Sequence, residues 1–177
     1  VSRPVASVNM PLWSPTHHNL ARGANTGLST IATAAFGRPV SAEVPAINRA
    51  AAELKAKGVN AIVTLVHQGG NGPKRAWVAP DGKSHPASTT YDARCAPGTR
   101  DLLDGSPILP IATSADAAVD AILTAHSHVA YQCDVPDPAG RMRPVTQAAS
   151  FGRLVTELHF SYDPATKDVV RDRTWTR

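Results

Sequence analysis

Three histidines follow two short apolar runs of the chain, and their type and spacing suit metal chemistry. His67 comes directly after the run 61–66, and His126 and His128 follow the run 121–125 as a His-x-His pair. Apolar runs of this length are typical of buried strands in a parallel sheet. The carboxyl ends of such strands border the crevice in which open α/β sheets bind ligands. Because imidazole is a common ligand of zinc, manganese and iron, the three side chains predict a metal site.

The spacing of the His-x-His pair suggests how its rings are arranged. On an extended segment, side chains two residues apart point to the same side. We therefore expect His126 and His128 to reach one ion or two adjacent ions. After His67, we expect Gly69 and Gly70 to let the backbone turn close beside the metal ligand.

An αβ unit is predicted to position His67. Ile47, Ala51 and Leu54 recur at helical spacing within residues 41–57, and Gly58 supplies a stop signal for the helix. The run 59–66 then predicts a central parallel strand that leads directly into His67.

The later elements are predicted from shorter patterns. Residues 68–112 contain so many prolines and glycines that we expect a long loop there. Ser114 is predicted to cap a short helix that runs to Val119. Further strands are expected at 121–125, 145–149 and 154–160, with 168–175 returning as the partner of the last in a hairpin.

Length and charge limit the possible classes of protein. The chain has 177 residues, 42% of them hydrophobic, which predicts a single domain over 1–177, with 1–40 as an N-terminal segment that carries no clear pattern. The net charge of +4 is scattered, which argues against binding to a nucleic-acid polymer and suits small anionic substrates. No apolar run is long enough to span a membrane.

The two cysteines, Cys95 and Cys133, are expected to form a disulfide, with two free thiols as the alternative. A disulfide would favour a secreted, extracellular or periplasmic protein. The chain begins at Val1 rather than Met, and we expect it to be a matured protein or part of a longer one.

Three segments together resemble a known family. They are 58–70, which ends in His-Gln-Gly-Gly; 125–128, which reads Ala-His-Ser-His; and 145–152, which reads Val-Thr-Gln-Ala-Ala-Ser-Phe-Gly. This pattern, within residues 41–177, resembles the calcineurin-like metallophosphoesterases, in the branch of the 5'-nucleotidases and 2',3'-cyclic phosphodiesterases.

The resemblance implies a fold, a cofactor and a substrate class. The fold would be the later half of a four-layer α/β/β/α sandwich, of the α/β class. The cofactors would be divalent ions of zinc, manganese or iron in a dinuclear site, in which His67 and His126 bind one ion and His128 binds the other. The activity would be hydrolysis of a small phosphorylated substrate such as a nucleotide.

Half of the family's motifs are missing from this chain. It contains no Asp-x-His, no Gly-Asp and no Asn-His, which supply the remaining ligands and the catalytic histidine of the family. We therefore expect the chain alone to be a poor catalyst, completed by an N-terminal portion or by a second chain. The alternatives are a degenerate homologue or non-catalytic secreted binding domain, and a mononuclear metalloprotein that uses the three histidines alone.

The other polar candidates are predicted to have structural or surface roles. The sequence contains no Gly-x-Ser-x-Gly elbow, which argues against a serine hydrolase. Lys74 and Arg75 could meet a phosphate, although an exposed basic pair is the simpler interpretation. Surface or loop positions are expected for His17 and His18, a turn for His85 and the polar side of a strand for His159. Asp116 and Asp120 are expected to cap or solvate a helix.

Overall fold

A mixed five-stranded sheet organises the part of the chain that the computed structural model describes, which is residues 28–33, 43–71, 77–78, 82–85, 94–95, 100–152 and 154–177. The helices are α1 (Glu43–Ala56) and α2 (Ile108–Ser114). The strands are β1 (Leu28–Thr33), β2 (Ala61–Val66), β3 (Trp77–Val78), β4 (Ser84–His85), β5 (Val119–Thr124), β6 (Ala130–Pro136), β7 (Met142–Ala148), β8 (Leu158–His159), β9 (Tyr162–Asp163), β10 (Asp168–Val169) and β11 (Trp175–Thr176). The expected α/β class is confirmed.

The large sheet has the strand order β1-β2-β5-β7-β6. Strands β1, β2, β5 and β7 run parallel, and β6 pairs antiparallel with β7 at the edge. The strands predicted within 59–66, 121–125 and 145–149 are confirmed as β2, β5 and β7. Since β2 and β5 are parallel neighbours, the loops that follow them leave the sheet side by side.

Helix α1 forms and ends as its sequence predicts. Ile47 and Ala51 lie one turn apart and are fully buried. Gly58 takes a φ of 76°, and the N–H groups of Gly58 and Val59 donate to the carbonyls of Lys55 and Leu54. This is a Schellman ending, in which a glycine adopts the left-handed conformation that ordinary residues avoid. The chain then turns directly into β2.

Helix α2 lies earlier than predicted, and the expectation that Ser114 begins a helix is wrong, because Ser114 ends one. The prolines of this segment favoured the prediction of a long loop instead of a helix. Pro110 sits in the first turn of α2, where no intrahelical N–H bond is lost. The helix forms because Ile108, Ile111 and Ala112 are buried against the sheet.

The two helices share one hydrophobic cluster with the sheet. Its buried members are Ile47, Ala51, Ile62, Val66, Leu103, Ile108, Ile111, Ala112, Ala115, Val119, Ile122, Tyr131, Cys133, Val135 and Val145. Each of α1, β2, α2, β5, β6 and β7 contributes to this cluster, so burial of these side chains holds both site-bearing strands in place.

The C-terminal hairpin differs in detail from the prediction. Two short antiparallel ladders form instead of one long one, with β8 paired to β11 and β9 paired to β10. A 3-10 turn at Arg171–Arg173 separates β10 from β11. The chain therefore reverses as expected, but each ladder has only two residue pairs.

Cys95 and Cys133 form the expected disulfide, with their Cα atoms 4.9 Å apart and a separation of 38 positions in the sequence. Cys133 lies on β6 in the core, so the bond ties the segment around Cys95 to the sheet. Closing a loop of this length in the unfolded chain contributes about 4 kcal/mol in the chain-entropy account. Among the described residues, no helix has the length and apolar character needed to cross a membrane.

Candidate functional site

His67 and His126 meet at the carboxyl edge of the sheet. Val66, the last residue of β2, pairs with Thr124, the last residue of β5, so the two loops start level with each other. His126 Nδ1 lies 3.3 Å from His67 Nε2, and the two ring centroids are 5.2 Å apart. The sequence placed both histidines at strand ends, and the parallel pairing of the strands makes their rings neighbours.

His128 contacts a different aromatic ring. The segment is a turn rather than an extended strand, with φ values of 78° at His126 and 59° at His128, so the expectation of an extended segment is wrong. The His128 ring instead packs edge-on against Phe151, with centroids 5.6 Å apart. In the part of the chain that is described, no three His, Cys, Asp or Glu side chains form a group that could hold a metal ion.

Gly69 allows the two loops to touch. A Cβ at this position would lie 2.3 Å from both Ala125 O and Ser127 Oγ, closer than a real Cβ approaches such atoms. Glycine is required at this position because of the contact between the loops, since Gly69 does not have a positive φ. The expected turn of the backbone beside a metal ligand stays a prediction.

A buried phenol supports the loop after β2. Tyr131, on β6, is fully buried, and its hydroxyl accepts a hydrogen bond from Gly70 N at 3.0 Å. The same hydroxyl contacts Thr124 Oγ1, which also donates to Thr146 O. Burial raises the pKa of Tyr131 to about 12, despite the lowering effect of these contacts. The phenol therefore stays neutral at physiological pH and acts as a fixed support.

Gln147 supports the loop after β5. It lies on β7 and is buried, with Nε2 donating to Val129 O at 2.8 Å and Oε1 accepting from Ser127 Oγ at 3.2 Å. Gln147 lies within the 145–152 segment that resembles the family, but neither its role nor that of Tyr131 was predicted from the sequence. The signal that could have indicated a role for Gln147 is its long polar side chain within a strand of otherwise buried residues.

Asp120 departs from its expected role of capping or solvating a helix. It is an unpaired extra residue of β5 where the β2–β5 register shifts, and its buried Oδ2 accepts the N–H of Ile62 at 2.8 Å. Arg171 Nε donates to Oδ1 at 2.9 Å. Burial raises the pKa of Asp120 to about 6, outweighing the two hydrogen bonds and the Arg171 charge, which lower it. Asp120 therefore links the amino ends of β2 and β5 to Arg171, at the opposite end of these strands from the histidine pair.

The other candidates have different recorded environments or fall outside the described residues. His159 stacks on Trp175 with ring centroids 4.8 Å apart, and Asp116 accepts the N–H of Ala118 in a local turn. The expectation that His85 lies in a turn is wrong, because its backbone belongs to β4 and pairs with β3. The predictions for His17, His18, Lys74 and Arg75 fall outside the described residues.

Comparison of the chain with models of known protein families gave no match. Comparison with curated protein sequences also gave no significant match.

Proposed function

We propose that this chain is part of a metal-dependent phosphoester hydrolase of the 5'-nucleotidase type, carrying the His67, His126 and His128 half of a dinuclear site. The fold would be the later half of the family's four-layer α/β/β/α sandwich. The mixed sheet with both histidine-bearing loops at one edge is compatible with that arrangement.

The separation of the two imidazole nitrogens carries the proposal. Two nitrogen ligands on one tetrahedral zinc ion, at bond lengths of about 2.0–2.1 Å, lie about 3.3–3.4 Å from each other. His67 Nε2 and His126 Nδ1 are 3.3 Å apart. The pair therefore has the spacing of two ligands to a single tetrahedral zinc ion. By the family resemblance, His128 would serve the second ion.

A bound divalent ion would supply Lewis acidity toward the phosphoryl oxygens of a substrate. This chain's own contribution is to hold His67 and His126 in the loops that follow two paired parallel strands, at the edge where such sheets bind ligands. The net charge of +4 favours an anionic substrate, and a small phosphorylated molecule such as a nucleotide fits this preference.

The remaining ligands would come from an N-terminal portion or from a second chain. In the described part of the molecule, no third His, Cys, Asp or Glu joins the pair to form a metal-holding group. That same observation favours a second candidate, a degenerate homologue or non-catalytic binding domain. The disulfide supports a location outside the cytoplasm for either candidate, in the extracellular space or the periplasm.

Elemental analysis tests the proposal. We expect zinc, manganese or iron to copurify with the chain in the absence of chelator, and to fall in His67→Ala and His126→Ala. His159→Ala is the matched control, because it removes an imidazole that stacks on Trp175 and lies outside the pair. Metal that falls equally in the control would refute metal binding at this pair, and metal that is absent from wild type would favour the second candidate, a degenerate homologue or non-catalytic binding domain.

An activity assay separates the two candidates. With metal bound, release of phosphate from a nucleoside monophosphate or from p-nitrophenyl phosphate is expected to rise when the upstream portion is present in the same chain. Stoichiometric metal with no hydrolysis by the longer protein would favour the binding domain.

A further inference from the structure

Gln147 contacts both ends of the loop that carries His126 and His128. Its side-chain amide donates from Nε2 to Val129 O at 2.8 Å and accepts at Oε1 from Ser127 Oγ at 3.2 Å. Thr124 Oγ1, at the end of β5, lies 3.5 Å from the same oxygen. One buried side chain on β7 therefore spans this loop from β5 to β6.

The same amide also borders the loop that carries His67. A Cβ on Gly69 would lie 2.7 Å from Gln147 Oε1 and 2.3 Å from Ser127 Oγ. The backbone two residues after His67 is thus packed directly on the Gln147–Ser127 pair. Moving either polar group would change how the His67 loop lies against the His126 loop.

The backbone around this amide needs such support. His126, His128, Ala149 and Phe151 all have positive φ, between 55° and 78°, although none is a glycine. Residues other than glycine hold this conformation only when their surroundings enforce it. Gln147 is buried in the middle of these four positions, two residues before Ala149 and bonded to Ser127 between the histidines.

We propose that Gln147 is the positioning residue of the His67–His126 pair, holding the two loops so that the imidazole nitrogens lie at the spacing one ion requires. The part of this inference that concerns metal affinity rests on the proposed function. The part that concerns ring apposition does not. Gln147 itself acts through Ser127, Val129 and Gly69 and would not touch the ion.

Gln147→Met tests the proposal, since methionine keeps the length of the side chain and removes both polar atoms. Thr64→Val is the matched control, because it removes a buried hydroxyl from β2 that has no hydrogen-bond partner among the described residues. In the metal-free protein, an NOE between the ring protons of His67 and His126 reports their apposition. We expect this NOE in wild type and Thr64→Val, and its loss in Gln147→Met with the far-UV circular dichroism unchanged.

Cobalt(II) titration supplies the second readout. Loss of a residue that orients metal ligands typically weakens metal binding about 10–100-fold. We expect a weakening in this range for Gln147→Met, a changed visible Co²⁺ spectrum, and near-wild-type behaviour for Thr64→Val. Ser127→Ala is expected to weaken binding too, and its effect is expected not to add to that of Gln147→Met, because both remove the same contact.

The outcomes separate the two proposals. If wild type binds no Co²⁺ but the NOE is lost in Gln147→Met, the proposed function fails and the positioning role stands. If the NOE is preserved in Gln147→Met, the positioning role is overturned, whatever the metal titration shows. If Gln147→Met unfolds, Ser127→Ala provides the same NOE test, and an unchanged NOE in that variant overturns the proposal.

Discussion

Replacing Arg171 by alanine is expected to cost a large part of the stability of the fold. The Arg171 side chain is only 7% exposed, and it binds two buried carboxylates, Asp120 at 2.9 Å and Asp137 at 2.6 Å. It also donates to the carbonyls of Ala117 and Val119. These contacts fasten the C-terminal 3-10 turn to the amino-terminal end of β5. In Arg171→Ala, both carboxylates would lose this partner at once.

The magnitude follows from the burial of the partners. Removing one member of a buried ion pair leaves an uncompensated charge and costs about 3–5 kcal/mol. Asp137 keeps hydrogen bonds from the N–H groups of Ala139 and Arg141, and Asp120 keeps that of Ile62, so we expect the cost to lie within this range and not above it. Domains of ordinary stability unfold with about 5–15 kcal/mol, so the variant would be close to its unfolding threshold.

Urea denaturation of wild type and variants measures this cost. Arg173→Ala is the matched control, because Arg173 lies two residues further along the same turn and is exposed. The control is expected to change the free energy of unfolding by less than about 0.5 kcal/mol. A loss below about 1 kcal/mol in Arg171→Ala, the value typical of an exposed ion pair, would refute the reasoning.

Three further results are expected. In Gly69→Ala, the new Cβ would clash with Ala125 O, so we expect the fold to lose about 1–3 kcal/mol of stability and Co²⁺ binding to weaken. An unchanged midpoint of urea unfolding would contradict the close contact. Tyr131→Phe leaves the buried N–H of Gly70 without its phenol acceptor, so the free energy of unfolding measured in urea should fall by about 1–3 kcal/mol. An unchanged free energy of unfolding would mean that another acceptor replaces the phenol. Asp120 has a pKa of about 6 when folded and 3.8 as its ordinary value, so the folded protein takes up this proton first as the pH falls. The protonated Asp120 carboxyl therefore contributes fully to the free energy of unfolding below about pH 4, and this contribution is lost as the pH rises through about 6. Asp120→Asn should remove this pH-dependent change from a plot of unfolding free energy against pH. Parallel curves for wild type and the variant would count against the prediction.

Local sequence patterns were sufficient for the elements that carry the histidines. Helix α1 follows from the spacing of Ile47 and Ala51 and from Gly58, and β2 and β5 follow from short apolar runs. The disulfide between Cys95 and Cys133 also followed from the sequence, since the chain has no other cysteine. These features depend on residues close together in the chain or on a pairing with one possible solution.

Patterns dominated by breakers were less informative. Helix α2 was not predicted at its position, because the segment contains prolines and its helix is stabilised by the burial of Ile108 and Ile111 rather than by helix propensity. The edge strand β6 was also missed. Its partner β7 supplies the ladder, and such long-range pairing leaves little local signal.

The sequence by itself determined that His67, His126 and His128 follow two buried strands. Only the tertiary structure decided that His67 and His126 lie together while His128 packs on Phe151, because the left-handed turn after β5 replaces the extended segment that was expected. It also decided which residues support the pair. Gln147 and Gly69 are 78 residues apart in sequence, and they become neighbours only when the sheet places β7 and the loop after β2 on either side of β5.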